Sequence, residues 1–543
     1  MKRIIRDFKT RYFALACCLL FFASGLVFLP HLGLQNDEAI FANAIYEPKA
    51  VYAVKIGHSR VPLMLMSYLG TLKALAYRPI FARFGTGMYA VRAPMLLAGA
   101  AGLWLFFLLL RRAAGYRAAL FGCGMLAADT VYLLTICFDW GPVALQHLLL
   151  VSGLLLLLGF YQTRQAPRLF WGWFLLGLGM WDKALMSWML GGLFVAVLAA
   201  YKKEFFAVIT LRRLAISALA FLLGALPLVI FNVDNDLATF RSNASYDTGN
   251  VAGKFQLLLA TADSRGLFGW LSNEDWQTSS PHAPEGAVQT ASARLSAIAG
   301  RPRHNLLLYA FVAALLLATL ARGAALRAIV FAVIAMAIAW AQMAVTANAG
   351  GSVHHVILLW PLPEMVIAIS FAAASRRLGR MGVPALAVLL VVLMISGLLV
   401  TNEYFFLTIR NGGAQNWTDA IFRLSDYMKG TSPKYVYCVD WGIMDSLRLL
   451  NRGKLPLRVG SDLVSKASQN RDERDRLAQD MGAPDTLFIG HTQDFEFFQG
   501  SSDKLVRYAA DAGFQRAILA TISDTYGRPV YQVYHFVAAV GRH

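Results

Sequence analysis

Residues 135–158 read TICFDWGPVALQHLLLVSGLLLLL, two apolar runs joined by a short turn that contains Asp139. Both runs extend beyond this stretch, over about 117–137 and 141–160. A helix needs about 20 predominantly apolar residues to cross a bilayer, and each run is close to that length. The stretch therefore predicts a hairpin of two membrane-spanning helices, and the same test divides the rest of the chain.

The composition supports a membrane protein. Of 543 residues, 57% are hydrophobic and only 15% are charged, and the mean hydropathy is +0.51. One soluble core could not bury this much apolar surface. The net charge of +18 comes largely from short basic clusters between apolar runs, a pattern that orients membrane proteins, so we expect lipid and no nucleic acid as a partner. The five cysteines are scattered and show neither a disulfide framework nor a zinc spacing.

The apolar runs predict about eleven membrane helices. They lie near 12–30, 92–110, 117–137, 141–160, 169–181, 184–201, 214–232, 304–321, 325–346, 354–374 and 383–401. The basic leader before the first run is typical of an uncleaved anchor, although a cleaved secretory signal shares the pattern. The runs at 169–181 and 184–201 could instead form one long helix.

Charge decides between these alternatives and orients the chain. With a hairpin at 169–201, the basic connections 111–117, 161–168, 201–213, 321–327 and 375–380 all fall on one side. The short connections on the other side carry a single lysine, which is the asymmetry expected between the cytoplasmic and outer faces. We therefore expect a multi-pass protein of a bacterial inner membrane, with a cytoplasmic amino terminus and a periplasmic carboxyl-terminal region.

This topology gives a membrane module at 1–402 and a periplasmic α/β domain at 403–543. The module has two long outer loops, 31–91 and 233–303, and residues 61–77 of the first loop suit a helix lying along the interface. In the tail, polar helical patterns alternate with the strand-like runs KYVYCVDWG, DTLFIGH and RPVYQVYHFV.

Acidic and basic residues collect at the predicted outer face. The acids are Asp37 and Glu38 after the first span, Asp139 in the quoted turn, and Asp182 in the next outer turn. The cations and histidines are Lys55, His58, Arg60, Lys183, His354 and His355. Carboxylates beside donors for a phosphate, in an outward cavity next to lipid, suggest chemistry on a lipid-linked phosphate.

Each residue also has a purely structural interpretation. The acidic pair could be a solvated loop, Arg60 could reach towards lipid headgroups, and the histidines could simply begin an interfacial helix. Asp182 and Lys183 could pair with each other in their turn. The occurrence of all these residues on one face is what favours a site.

The order of several motifs resembles a known family. NDEAIFANA, SRVPLMLMSYL, TICFDWGPVALQHLLL and LLGLGMWDKALMSWMLGG follow one another as in membrane glycosyltransferases that use polyprenyl-phosphate sugars, such as protein O-mannosyltransferases and the lipid A aminoarabinose transferase. The similarity covers about 10–200, returns at HHVILLWPLPEMVIAI and does not obviously include the tail. It implies the GT-C fold.

The resemblance also implies roles for residues. Asp37 would be the base that activates the acceptor, with Glu38 beside it, and Asp139 would be the second acidic position. Arg60 falls where relatives carry a lysine that meets the donor phosphate, although the first proline of their Lys-Pro-Pro-like segment is missing here. Lys183 aligns with a Thr-Lys-Gly-like segment whose other two positions differ, and His354 or His355 lies near an outer basic or aromatic position.

The sequence therefore predicts a glycosyltransferase that moves a monosaccharide from a polyprenyl-phosphate donor to a hydroxyl acceptor, a lipid, polysaccharide or protein, with inversion. Lys55, His58, Arg60, His354 and His355 would bind the donor phosphate. No cofactor is required, and a divalent cation is compatible with the chemistry. The alternatives are a transporter or flippase of a lipid-linked or anionic solute, and an inactive envelope assembly subunit.

Two tail residues are further candidates for contacting the substrate. Asp440 and Trp441 follow the strand-like run KYVYCVDWG, at a loop position where ligand contacts are common. A tryptophan that packs beside a turn explains the same pattern equally well.

Overall fold

A computed structural model describes residues 2–46, 52–57, 59–275, 281–415, 417–461 and 470–539. The apolar part is helical. Its helices in chain order are α1 (Lys2–Phe28), α2 (Asn36–Asn43), α3 (Leu72–Phe84), α4 (Met88–Ala114), α5 (Tyr116–Ala127), α6 (Thr130–Phe138), α7 (Val143–Thr163), α8 (Ala166–Asp182), α9 (Met186–Val208), α10 (Leu211–Gly224), α11 (Leu226–Asp234), α12 (Ala238–Asn243), α13 (Val251–Ala262), α14 (Gly286–Ile298), α15 (Leu307–Leu317), α16 (Ala324–Val345), α17 (Val353–Val356), α18 (Leu362–Arg377) and α19 (Gly382–Asn411).

Within the described residues, six segments are long and apolar enough to cross a membrane. They are Lys9–His31, Met88–Ala114, Val143–Thr163, Ala324–Val345, Val353–Arg377 and Gly379–Asn411. Two bent pairs, α5 with α6 at 58° and α9 with α10 at 117°, raise the number to eight if each pair is one span. The chain is thus a multi-pass membrane protein, but the predicted count of eleven is not confirmed. Several of the remaining helices are too short, such as α15 with 11 residues.

The two helices predicted at 169–201 are both present. Helix α8 ends at Asp182 and α9 begins at Met186, so the alternative of one long helix is wrong. The quoted stretch 135–158 likewise forms the end of α6, a turn and most of α7.

Contacts within the apolar part also join the predicted cytoplasmic loops. Arg376 donates to the carbonyl of Ala114 (3.0 Å) and Arg117 donates to Ser375 Oγ (3.2 Å). Arg327 pairs with Glu204 in the last turns of α9. The basic clusters 111–117 and 375–380 are therefore neighbours in space, and so are the clusters 201–213 and 321–327.

The first outer loop differs from the prediction in its first half. Residues 61–66, expected in an interfacial helix, lie in a strand of a three-stranded antiparallel sheet made of β1 (Tyr52–Ile56), β2 (Ser59–Met66) and β3 (Leu69–Gly70). Pro62 disfavours helix in the residue before it. Only the second half of the predicted helix forms, as the start of α3.

The carboxyl-terminal part builds a five-stranded sheet. Its strands are β4 (Tyr435–Cys438), β5 (Leu457–Val459), β6 (Thr486–His491), β7 (Phe514–Ser523) and β8 (Pro529–Ala538), and its helices are α20 (Ala420–Lys429), α21 (Met444–Leu450), α22 (Arg471–Gly482) and α23 (Ser501–Asp511). The strand order is β5-β4-β6-β8-β7. Strand β4 pairs in parallel with both β5 and β6, whereas β8 is antiparallel to its two neighbours.

Helices cover both faces of this sheet. Val436 and Cys438 of β4 pack with Leu447 of α21 on one face, whereas Tyr437 and Val439 pack with Leu477 of α22 on the other. This alternation follows from the two-residue period of a strand.

Candidate active site

The turn between α6 and α7 is the centre of the candidate site. Asp139 takes a left-handed backbone conformation (φ 43°), which aspartate tolerates better than most residues. Its Oδ1 accepts hydrogen bonds from the backbone N–H groups of Val143 (2.8 Å) and Ala144 (3.0 Å), so the carboxylate caps α7. Its Oδ2 lies 2.7 Å from Lys73 Nζ, and both side chains are 3% exposed.

Helix α2 presents the adjacent acids Asp37 and Glu38. Gln35 caps the helix, because its side chain accepts from the N–H groups of both acids and its own N–H donates to Glu38 Oε2. Consecutive residues of a helix point about 100° apart, so the two carboxylates have different surroundings.

Glu38 is held by Arg92 of α4. Arg92 Nε lies 2.7 Å from Oε1 and Nη2 lies 2.8 Å from Oε2. The same guanidinium also donates to the carbonyls of Leu29, Leu32 and Gly33. Because Glu38 is 1% exposed, this bidentate pair anchors the loop between α1 and α2, and a direct role of Glu38 in chemistry has no support in its surroundings.

Asp37 is half-buried, and within the described part of the chain it has no cation within ion-pair distance. Its neighbour Asn36 donates to it at 3.5 Å. Burial raises the pKa of the Asp37 carboxyl, while the hydrogen bond from Asn36 and the charge of Lys183 oppose this effect. Asp37 is thus an accessible carboxylate with raised proton affinity.

Lys183 lies in the turn between α8 and α9 and is 3% exposed. Its Nζ donates to the carbonyl of Gly141 at 2.8 Å, not to Asp182 as the structural interpretation of that turn supposed. Asp182 instead accepts from Gln146 Nε2 at 2.9 Å. Burial lowers the pKa of Lys183 to about 8, although the charges of Asp182, Asp139 and Asp37 act in the opposite direction.

The histidine pair reaches the same turn. A Cβ at Gly141 would lie 2.4 Å from the Cβ of His354, so only glycine allows this contact. Ser352 Oγ lies 2.8 Å from His354 Nδ1, and the rings of His354 and His355 are 4.3 Å apart. Buried His355 Nδ1 has no hydrogen-bond partner among the described residues.

The fold therefore brings Asp37, Asp139, Lys183 and His354 together, but it places the other predicted cations elsewhere. Lys55 and Arg60 are exposed and face each other across the β1–β2 hairpin. The hairpin pairs with β3 at Met64. Arg60 is four residues further along the strand, which is a distance of roughly 13 Å from Met64. His58 lies outside the described residues.

Asp440 and Trp441 lie just after the end of β4. Hydrogen-bond donors surround the Asp440 carboxylate. The Asp440 carboxylate accepts from the N–H groups of Trp441 (2.8 Å), Phe497 (2.7 Å) and Phe498 (2.9 Å), and it lies 2.7 Å from His491 Nδ1. With four donors and a fully buried side chain, Asp440 joins two loops and is not free to contact a substrate. Burial raises its pKa, but the hydrogen bonds outweigh burial and the net pKa is lowered.

Sequence reasoning missed the two cations that organise the site. Lys73 in TLKALAY and Arg92 in MYAVRAPML each stand alone in an apolar stretch. A charge in such a place needs a partner, and this signal was present in the sequence. The sequence did not show which residue is the partner, because Asp139 is 66 residues from Lys73 and Glu38 is 54 residues from Arg92.

The described ranges contain no group of three or more His, Cys, Asp or Glu side chains that could hold a metal ion. What the arrangement offers is an accessible carboxylate, Asp37, on which the charge of the buried Lys183 acts.

Comparison with known proteins identifies the fold. No protein-family model matches the chain, and no curated protein matches it in sequence. Among solved structures, ArnT from Cupriavidus metallidurans bound to undecaprenyl phosphate has a TM-score of 0.58 and 15% identity, over 96% of this chain and 97% of that one. The oligosaccharyltransferase AglB from Archaeoglobus fulgidus, in complex with an inhibitory peptide and a dolichol-phosphate, has a TM-score of 0.51 and 12% identity, over 97% of this chain and 74% of that one.

These similarities confirm the resemblance that the motif order predicts. The chain has the GT-C fold of these glycosyltransferases. At such low identity the comparison establishes the fold alone.

Proposed function

We propose that this protein is an integral membrane glycosyltransferase that transfers a monosaccharide from a polyprenyl-phosphate donor to a hydroxyl acceptor, with inversion, at the periplasmic face of a bacterial inner membrane. One observation carries the proposal. Of the acids around the 139–141 turn, Glu38 is held by Arg92, Asp139 by Lys73 and Asp182 by Gln146. Among the described acids at this turn only Asp37 remains accessible, and the charge of buried Lys183 acts on it.

In the proposed step, Asp37 acts as the base and Lys183 stabilises the leaving phosphate. Asp37 takes the proton from the acceptor hydroxyl while the oxygen forms a bond to C1 of the sugar. The C1–O bond to the polyprenyl phosphate breaks on the opposite side, and its electron pair leaves on the phosphate. Lys183 stabilises the charge that develops there, assisted by His354, in a site from which water is partly excluded.

Lys55 and Arg60 have a separate place in the proposal. Their exposure on the hairpin suits them to attract and guide the anionic headgroup of the donor, rather than to contact the reacting atoms. ArnT was solved with undecaprenyl phosphate, and a polyprenyl phosphate is the donor carrier that we propose here. Asp139 and Glu38 become positioning residues, and no cofactor is needed for the step.

The test is transfer by the full-length protein in proteoliposomes, with radiolabelled polyprenyl-phosphate hexoses and pentoses and a membrane extract as acceptor. We expect Asp37→Asn to lower the rate by about 10²- to 10⁴-fold, the usual contribution of a general base. Asp236→Asn is the matched control, because its side chain is 87% exposed on the second outer loop.

A near wild-type rate for Asp37→Asn would remove Asp37 as the base. Movement of solute across the vesicle without a covalent product in the wild type would instead favour a transporter. Neither movement nor product with any donor would favour an inactive assembly subunit.

A further inference from the structure

The carboxyl ends of β4 and β6 in the carboxyl-terminal sheet, here called the β4–β6 crevice, lie outside the site described above. Strands β5, β4 and β6 run in parallel in the order β5-β4-β6. The chain leaves β4 towards β5 on one side and returns from β5 to β6 on the other side. The strand order therefore reverses between β4 and β6, and open α/β sheets bind ligands at the carboxyl ends of the strands at such a switch point.

The residues at this point form a prepared surface. Asp440 follows β4 and His491 ends β6, and the contact between them joins the carboxyl ends of the two strands. The four hydrogen bonds to Asp440 fix the loop after β4 to the loop after β6. This arrangement holds the backbone of three aromatic residues, Trp441, Phe497 and Phe498, at one edge of the sheet.

The three aromatic side chains are partly exposed. Phe497 is 45% exposed and Phe498 is 42% exposed, while Trp441 is half-buried. The Trp441 and Phe497 rings are 4.7 Å apart, and the Phe497 and Phe498 rings are 5.3 Å apart. A contiguous group of exposed aromatic rings on a soluble domain is characteristic of a binding surface.

A polar group at the same edge lacks a partner. The His491 side chain is 1% exposed, and its Nδ1 is used by Asp440. Its Nε2 is buried and has no hydrogen-bond partner among the described residues. An unsatisfied buried nitrogen costs free energy, and a ligand hydroxyl that enters the crevice would remove this cost.

This edge is also close to the candidate active site. Helix α21 begins at Met444, three residues after Trp441, and packs on α2. Ser446 Oγ donates to the carbonyl of Leu34 at 3.0 Å, three residues before Asp37. Asn43 Nδ2 at the other end of α2 donates to Asp445 Oδ1 at 3.2 Å.

Together these observations indicate the chemistry of the ligand. It must offer an apolar face to flat aromatic rings and hydroxyl groups to a buried nitrogen, and a pyranose ring does both. It must also be long enough to reach from the crevice to the outer end of α2. We infer that the β4–β6 crevice binds the carbohydrate chain of the acceptor, with one sugar ring stacked on Trp441 and Phe497.

The identification of the bound carbohydrate as the acceptor rests on the proposed function. The binding itself can be measured without transfer. Saturation-transfer NMR of the full-length protein in detergent would use maltose, cellobiose and N,N′-diacetylchitobiose as probes. A serine- and threonine-containing peptide is the competing ligand. The variants are Trp441→Ala and Phe497→Ala, with Trp441→Phe as the conservative change and Leu519→Ala, 47% exposed on β7, as the control.

We expect at least one disaccharide to bind the wild type, and binding to weaken about tenfold in the two alanine variants, as for loss of a favourable aromatic contact. Trp441→Phe and Leu519→Ala should bind as the wild type does. Asp37→Asn should also bind normally, so that a failure of catalysis and a failure of this site are distinguishable. In the transfer assay, Trp441→Ala should raise the KM for acceptor and leave the KM for donor unchanged.

Several outcomes would overturn the inference. These are the absence of binding by all three disaccharides, equal binding by the wild type and both alanine variants, or displacement of bound sugar by the peptide with a preference for the peptide. Equal loss of binding in Leu519→Ala would show a general effect on the fold rather than a site.

Discussion

At the scale of single residues, two adjacent acids have different roles because of their partners. Glu38 accepts two hydrogen bonds from the planar Arg92 guanidinium, one on each carboxylate oxygen, and its charge is neutralised inside the protein. Asp37 has no such partner within the described residues, and it keeps contact with solvent. A sequence motif that contains both acids does not show which one is available for proton transfer.

The proposed roles of Asp37 and Lys183 predict a bell-shaped dependence of the transfer rate on pH. Asp37 must be ionised, so the rate falls when the pH decreases through its raised pKa. Lys183 must be protonated, and because burial lowers its pKa to about 8, the rate falls when the pH increases beyond that value. Steady-state transfer between pH 4 and pH 10 measures both limbs.

Lys183→Arg separates the two limbs. Arginine keeps its charge throughout this range, so the decrease above about pH 8 should disappear while the acidic limb remains. An unchanged alkaline limb in Lys183→Arg would show that another group titrates there, and would count against Lys183 as the phosphate contact.

At the scale of elements, α2 owes its position to partners that come from outside it. Arg92 of α4 fixes its amino-terminal side, and Asp445 of α21 binds Asn43 at its other end. The helix has only eight residues, too few to be stable alone in water. The placement of Asp37 is therefore a property of the packing and not of the local sequence.

Removal of one partner tests this anchoring. Arg92→Met leaves Glu38 as an unpaired buried charge, which costs about 3–5 kcal/mol, so the thermal midpoint of the full-length protein in detergent should fall by several degrees. Arg241→Met is the matched control, because its pair with Asp236 is long (4.0 Å) and exposed and is worth at most about 1 kcal/mol.

The double variant Glu38→Gln/Arg92→Met should recover part of the lost stability, since no unpaired buried charge remains at this position. Equal midpoints for Arg92→Met and Arg241→Met would contradict an anchoring role for the Glu38–Arg92 pair.

The β1–β2 hairpin shows a second effect at this scale. The run 61–66 is as apolar as an interfacial helix, and its composition alone favours no particular structure. Trp181 Nε1 donates to the carbonyl of Leu63 at 2.9 Å. The N–H of Ala184 donates to the carbonyl of Tyr68 at 2.9 Å. These contacts with α8 and the turn after it hold the hairpin against the membrane helices.

At the scale of the whole molecule, the proposed orientation can be tested by labelling. All five native cysteines are buried and unpaired, so they should give little background with a membrane-impermeant maleimide. Ser245→Cys in the second outer loop should react in intact spheroplasts. Gln165→Cys in the loop between α7 and α8 should react only after the membrane is opened, and both positions are exposed.

Labelling of Gln165→Cys before permeabilisation would place the basic loops outside and the candidate site inside. The proposed transfer at the periplasmic face would then be wrong.

The sequence by itself determined the membrane class, the clustering of basic loops and the strand-like runs of the tail. These features depend on composition and on short-range periodicity, which any segment carries within itself. The order of motifs was also sufficient to predict the GT-C fold, which the solved structures confirm. The roles given to Asp37, Asp139 and Lys183 stay predictions.

Only the tertiary structure decided which charged groups neutralise one another. Lys73 and Asp139 are 66 residues apart, and Arg92 and Glu38 are 54 residues apart. The pair of Asp440 and His491 joins the ends of two different strands. A charge in an apolar interior requires a partner, but neither local propensity nor periodicity states which distant residue supplies it. Asp37 could therefore be identified as the accessible carboxylate only from the tertiary structure, which shows that the other carboxylates are bound by distant residues.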